Sequence, residues 1–188
     1  MSVKLRPATP EDAENIARLA DIAGEGFPGA IWSSMADHNQ TAFDVGARKA
    51  AKDTGVFSWK HATMAEVDGD IAGLAISYVN GDTPEVISEQ THPMFRPMVK
   101  LENEALETRY VSMLATFPAY RKAGIAQILL DDAETRPGPK GMSLITSDAN
   151  LAAREFLYAR GFRDAGTMPA IKINWDTPTT TWHLLRKP

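Results

Sequence analysis

An apolar stretch, a small-residue turn and an apolar-faced helix follow one another without interruption between Tyr110 and Leu129. Tyr110 to Phe117 reads as a strand closed by Pro118, while Ile125, Ile128 and Leu129 fall on one face of a helix beginning near Gly124. At such a junction the first helical N–H groups have no carbonyl four residues back, and with the helix dipole they favour an anion. The turn Tyr120-Arg121-Lys122-Ala123-Gly124-Ile125-Ala126 therefore reads as a pyrophosphate cradle, with Gly124 and Ala126 letting phosphate oxygens approach the backbone. The bare pattern Arg-x-x-Gly-x-Ala equally describes a solvated turn. Its place between a strand and an apolar-faced helix is what favours the anion site.

The rest of the chain supplies partners for that unit. Val3 to Arg6 is a short first strand, and Thr9-Pro10-Glu11-Asp12 reads as cap, proline at the first helical position and early acids. The helix it opens runs to about Ala23, with Ile16, Leu19, Ala20 and Ile22 as its buried stripe. Thr41 with Asp44 marks a second helix to about Lys52. Thr63 to Val67 and Ile71 to Val79, joined through Asp68-Gly69-Asp70, form a hairpin, because Asp-Gly takes the positive φ angles of a tight turn. From Asn80 to Leu106 the chain reads as a long irregular segment with Pro84, Pro93 and Pro97, a candidate substrate lid or a surface loop. Beyond it come a strand from Met142 to Thr146, a helix from Asn150 to Arg160 with Asp148 as cap, and a left-handed stop at Gly161-Phe162. Strands around Met168 to Ile173 and from Thr181 to Leu185 finish the sequence. With no internal repeat, this order predicts one α/β domain over residues 1–188, a mixed sheet with helices on both faces.

Composition narrows the function classes. At 188 residues and 44% hydrophobic, the chain has enough apolar surface for one sizeable core. A net charge of −4 without a Lys/Arg block argues against nucleic acid, which needs clustered cations to displace counterions. No apolar run reaches the roughly 18 to 20 residues of a membrane span, and Met1-Ser2-Val3-Lys4 lacks a signal-peptide core, so a soluble, cytoplasmic protein is expected. The absence of cysteine removes disulfides, thiolate metal sites and an acyl-enzyme on sulfur together. His38, His61, His92 and His183 are too scattered to pair on a helix face, so no metal is expected. A homodimer is compatible with the sequence.

These residues resemble the GNAT N-acetyltransferases, and the resemblance extends over nearly the whole chain. Arg121-Lys122-Ala123-Gly124-Ile125-Ala126 is similar to the family's acyl-CoA loop, Arg/Gln-x-x-Gly-x-Gly/Ala. Asn150-Leu151-Ala152-Ala153, Phe156 and Gly161-Phe162 resemble its Asn-x-x-Ala…Gly-Phe signature. Leu5-Arg6-Pro7-Ala8-Thr9-Pro10-Glu11-Asp12 resembles the family's first strand and helix, and Leu114-Ala115-Thr116-Phe117-Pro118 its splayed fourth strand. The resemblance implies a mostly antiparallel sheet and acetyl-CoA as donor. It implies that backbone groups near Leu114 and Thr116 bind the pantetheine arm, and that the N–H groups of Lys122, Ala123, Gly124, Ile125 and Ala126, beside Arg121, hold the pyrophosphate. Asn150 would contact the cofactor or simply begin its helix.

Such a transfer needs an unprotonated amine placed against the thioester, an N–H for the oxyanion and a leaving thiolate. The family often carries a Glu base on the fourth strand. Counting back from Arg121 puts Tyr110 there, with Glu107 three residues earlier. Many members also carry an acid Tyr four residues before Gly-Phe, where this chain has Leu157; Tyr158 is adjacent but turned by about 100°. Tyr110, Glu107 and Tyr158 are thus the catalytic candidates. Asp82, Glu85, Glu89, Glu102 and Glu104 give the 80–106 segment a negative bias that would draw in a protonated amine, or merely solvate it. Trp32, Met35, Phe43 and Phe57 would wall an acceptor pocket or fill the core. The function expected is acetyl transfer to a primary amine of a small molecule or peptide by direct attack in a ternary complex. The rival is a non-catalytic acyl-CoA sensor.

Overall fold

The computed structural model describes residues 2–188. Thirteen main elements follow in order: β1 (Val3–Pro7), α1 (Ala13–Ala23), α2 (Phe27–Met35), α3 (Ala42–Ala50), β2 (Ala62–Val67), β3 (Asp70–Val79), α4 (Arg96–Asn103), β4 (Arg109–Thr116), α5 (Ile125–Glu134), β5 (Met142–Ser147), α6 (Leu151–Ala159), β6 (Arg163–Pro169) and β7 (Thr181–Lys187). The strands are ordered β1-β2-β3-β4-β5-β7-β6 in one sheet. Pairing is antiparallel for β1–β2, β2–β3, β5–β7 and β6–β7 and parallel for β4–β5, the mostly antiparallel α/β arrangement expected. Two compact units make up the chain, one running to Tyr78 together with Ser112–Thr135, the other Val79–Val111 with Arg136–Pro188.

In the first unit, helices cover both faces of the sheet. The alternation along β2 sends Met64 to one side, where it meets Ile16 and Leu19 of α1 with Leu74 and Ile76. Ala65 and Val67 go to the other, against Ile125 and Leu129 of α5. Thr9 and Asp12 make the anticipated box, the Thr9 N–H donating to Asp12 Oδ2 at 2.8 Å. Asp12 also takes two bonds from the Arg6 guanidinium, at 2.7 and 2.9 Å, while Arg6 Nε reaches Glu66 at 2.5 Å. Asp68 and Gly69 turn the hairpin at φ 52° and 95°. Thr41 and Asp44 cap α3 reciprocally. The sequence gives no cue for α2, because it starts not at a polar cap but at Gly26 in the left-handed region, with Pro28 in its first turn. It carries Trp32 into the core beside Val45 and Phe57, so the proposed aromatic wall is largely packing, although Met35 and Phe43 remain exposed.

The second unit corrects three expectations. The segment 80–106 is irregular only over residues 80–92, after which a 3₁₀ turn at Pro93–Phe95 leads directly into α4. Pro93 and Pro97 stand at the first positions of these helices, where a missing N–H costs nothing, and Met94, Val99 and Leu101 are buried. The cap of α6 is Asn150, whose Oδ1 accepts from the Ala153 N–H at 3.1 Å, rather than Asp148. Asp148 instead holds the Thr180 N–H at 2.9 Å and the Thr180 hydroxyl, which keeps its carboxyl down at about 2. The penultimate strand begins at Arg163, immediately after the Gly161 stop at φ 92°, and residues 170–173 lie outside it. Its side chains are mostly exposed, so no apolar alternation marked it. Among the described residues no helix is long and apolar enough to cross a membrane.

Candidate active site

The cradle residues lie in the first unit, where β4 hands the chain to α5. Leu114 and Thr116 are half-buried on β4, and the Phe117 N–H donates to the Ala72 carbonyl at 2.9 Å. Tyr120 anchors the turn by donating its hydroxyl proton to Asp70 Oδ2 at 3.3 Å. Arg121 is extended, Lys122 sits at φ 63° and Gly124 at φ 77°, so the backbone reverses twice within three residues. The Gly124 carbonyl accepts from the Ile128 N–H, the first intrahelical bond of α5. The N–H groups of Ile125, Ala126 and the following Gln127 therefore point out of the helix start, where the dipole adds positive potential. A Cβ at Gly124 would meet nothing within 4 Å, so space for a ligand lies over it. Arg121 and Lys122 are exposed on the same turn. Open space, outward N–H groups and two cations together fit a pyrophosphate.

The remaining candidates lie in the second unit. Asn150 receives a bond from Ala153 at its side-chain oxygen and lends its own N–H to Ser147 Oγ at 3.1 Å. Capping thus uses the oxygen, and a cofactor contact would fall to the amide NH₂. Tyr158 accepts from Arg154 at 2.8 Å and donates to Asp164 Oδ2 at 2.7 Å, and His183 Nδ1 lies 3.2 Å from Asp164 Oδ1. Glu107, in a left-handed turn at φ 60°, pairs with Lys140. His92, in the former lid, accepts from the Met94 N–H at 3.3 Å and so starts a helix. Leu157, at the position of the family's acid, is buried.

Tyr110 is 2% exposed on β4. The β4–β5 ladder consists of Arg109↔Met142 and Tyr110↔Ser143, so Tyr110 occupies its last rung. Its hydroxyl bonds to the Glu102 carboxyl of α4. Burial, assisted by the charge of Glu85, pushes that carboxyl up to about 7, with the Tyr110 bond opposing. Glu85 is held beside α4 by Asn103, whose amide accepts from the Glu85 N–H at 2.8 Å and donates to its carbonyl at 2.9 Å. From sequence, Glu102 was one of five acids in a loop. The signal that distinguishes it is helical phase, because it follows buried Val99 by three residues and shares its face. A separate groove of about 400 Å³, lined by Ile87, Pro97, Met168, Pro169 and Ile171 with Arg96 and Lys100, lies along α4.

Comparison with known proteins identifies the family. Residues 30–162, more than two thirds of the chain, match the acetyltransferase (GNAT) family, and the protein belongs to that family. Its members are acyltransferases that use acetyl-CoA. No curated protein sequence matches the chain. Among solved structures it is similar to an N-acetyltransferase from Staphylococcus aureus Mu50, at 22% identity and TM-score 0.64 over 97% of this chain and 98% of that one. A mosquito arylalkylamine N-acetyltransferase like 5b aligns at 17% identity and TM-score 0.63, with 99% of each chain covered. An Arabidopsis thaliana protein in complex with the bisubstrate analogue CoA-Ac-MVNAL aligns at 16% identity and TM-score 0.60, over 100% of this chain and 99% of that one. At these identities the likeness is one of fold.

Proposed function

We propose that this protein moves an acetyl group from acetyl-CoA to a primary amine of a small molecule or peptide, by direct attack while both substrates are bound. The observation that carries this reading is the turn at the start of α5, with Lys122 and Gly124 left-handed, open space over Gly124 and the N–H groups of α5 directed outward. Arg121 to Ala126 would hold the pyrophosphate, backbone groups near Leu114 and Thr116 the pantetheine arm, and the Asn150 amide a further polar group. Acetyl-CoA supplies an activated thioester, so the protein's task is to position an amine, remove a proton from it and stabilise developing negative charge. The arylalkylamine and peptide-analogue neighbours support amine acceptors of either kind. We take the chain to act as one acyltransferase domain in the cytoplasm.

Replacing Gly124 by Glu tests the cradle. A carboxylate at the anion site repels the pyrophosphate, so titration calorimetry should show at least a 100-fold loss of acetyl-CoA affinity with an unchanged circular dichroism spectrum. Wild-type affinity in this variant overturns the assignment. A second reading, a non-catalytic acyl-CoA sensor, is favoured by buried Leu157 and buried Tyr110 at the positions of the family's acid and base. A sensor binds acetyl-CoA but releases no thiol with any amine.

A further inference from the structure

We propose that the groove along α4 is a ligand site in its own right, one that takes a small carboxylate with an apolar body, a medium-chain monocarboxylic acid. Every residue lining it belongs to the second unit, so it shares no residue with the cradle at the start of α5.

The charge comes from one face of α4. Arg96 and Lys100 stand four residues apart, about one helical turn, a spacing at which like charges meet and repel. Although the chain carries a net −4, among the described residues neither of them forms an ion pair. Arg96 is half-buried, and its Nε donates to the Thr91 carbonyl at 3.1 Å. That bond fixes the guanidinium and leaves its two terminal nitrogens for a ligand, a fork that matches a carboxylate. Lys100, exposed one turn further on, adds a second cation to the same groove.

The rest of the lining is apolar. Pro97 of α4, Met168 and Pro169 of β6, Ile171 beyond that strand and Ile87 of the 80–92 segment enclose about 400 Å³, a volume within the range of small-molecule pockets. Ile87 is held between two clamps. On one side Asn103 grips the Glu85 backbone at 2.8 and 2.9 Å. On the other the Ser88 N–H donates to Thr91 Oγ1 at 3.1 Å, and the Thr91 N–H donates to the Ser88 carbonyl at 3.2 Å. This wall is therefore ordered before a ligand arrives, which lowers the entropy cost of binding. Ile171 is 37% exposed, apolar surface that a hydrocarbon body would remove from water.

The lining also selects by what it lacks. Among the described residues that form it there is no carboxylate, so an ammonium finds no partner in the groove. There is no hydroxyl, amide or aromatic side chain either, so a sugar has nothing to bond and a base nothing to stack on. An anion joined to an apolar body satisfies both halves of the groove.

Octanoate is the probe, with octylamine and octanol as charge controls of the same chain length. By titration calorimetry the wild type should bind octanoate saturably and about tenfold or more tightly than either control, the scale of a charged hydrogen bond. Arg96→Gln should lose about tenfold or more in octanoate affinity, Lys100→Gln a smaller factor, and Ile171→Asp about tenfold by setting a like charge in the groove. The Met168 methyl resonance should shift when octanoate is added to the wild type and stay still in Ile171→Asp. Gly124→Glu should bind octanoate as the wild type does, so that failure of the acetyl-CoA cradle and failure of this site are read separately. Should Arg96→Gln misfold, Lys100→Gln and Ile171→Asp decide, since both positions are exposed. Absence of saturable octanoate binding, equal affinity for octanoate and octylamine, or wild-type affinity in the groove variants overturns the assignment. Octanoate binding that is lost in Gly124→Glu, or that leaves the Met168 methyl unmoved, overturns it as well.

Discussion

Arg6 shows how one side chain ties three elements of the first unit together. Its guanidinium joins β1, the turn before α1 and β2 through Asp12 and Glu66. Asp12 is buried, and the bonds it accepts, from Arg6 first and then Thr9, hold its carboxyl below the usual range although burial alone acts the other way. A depressed folded value means that the stabilisation is present above the unfolded value, about 3.9, and is lost as pH falls through the folded one. Replacing Asp12 by Asn should therefore cost about 1–3 kcal/mol at neutral pH, as expected for charged hydrogen bonds. Urea unfolding should show the variant and wild type converging in acid. A constant gap at all pH values contradicts the role assigned to the ion pair. Gly124 illustrates a different constraint, a backbone at φ 77° that glycine adopts without strain.

Helix starts decide most of what the sequence did and did not disclose. Where a polar cap announced the helix, at Thr9 and Thr41, the structure follows the expected boundaries closely. The hairpin at Asp68-Gly69 and the stop at Gly161 were legible for the same reason, a residue type tied to one backbone conformation. α2 and α4 were missed because they are entered through Gly26 and through the Pro93 turn, residues more often read as breaks, and neither is announced by a Ser, Thr, Asp or Asn cap. With α4 hidden, Glu102 had no helical phase and could not be separated from its neighbours in the loop. α6 was located but its cap misplaced, since Asp148 and Asn150 are both good cap residues and only the bond to Ala153 distinguishes them. Asn150→Ala should therefore lower stability by about 1 kcal/mol, read as a shifted urea midpoint at constant slope. Asn150→Asp keeps the cap but removes the amide donor. It should retain stability while weakening acetyl-CoA about tenfold, and unchanged affinity in Asn150→Asp leaves Asn150 a cap alone.

At the scale of the whole molecule, the chain is an α/β protein of the acetyltransferase (GNAT) family, and our proposal gives the cofactor chemistry to the strand–turn–helix of β4 and α5. A net charge of −4 offers little to a polyanion, and among the described residues no cluster able to hold a metal ion is found. Family membership makes the protein an acyltransferase, and in this chain a proline-started helix, α4, lies between β3 and β4 in sequence. The most direct measurement is release of free thiol from acetyl-CoA across a panel of primary amines, with no background from the protein because it contains no cysteine. Acceptor-dependent release is the predicted result. Tight acetyl-CoA binding without release from any amine contradicts the account and leaves the protein a sensor of acyl-CoA.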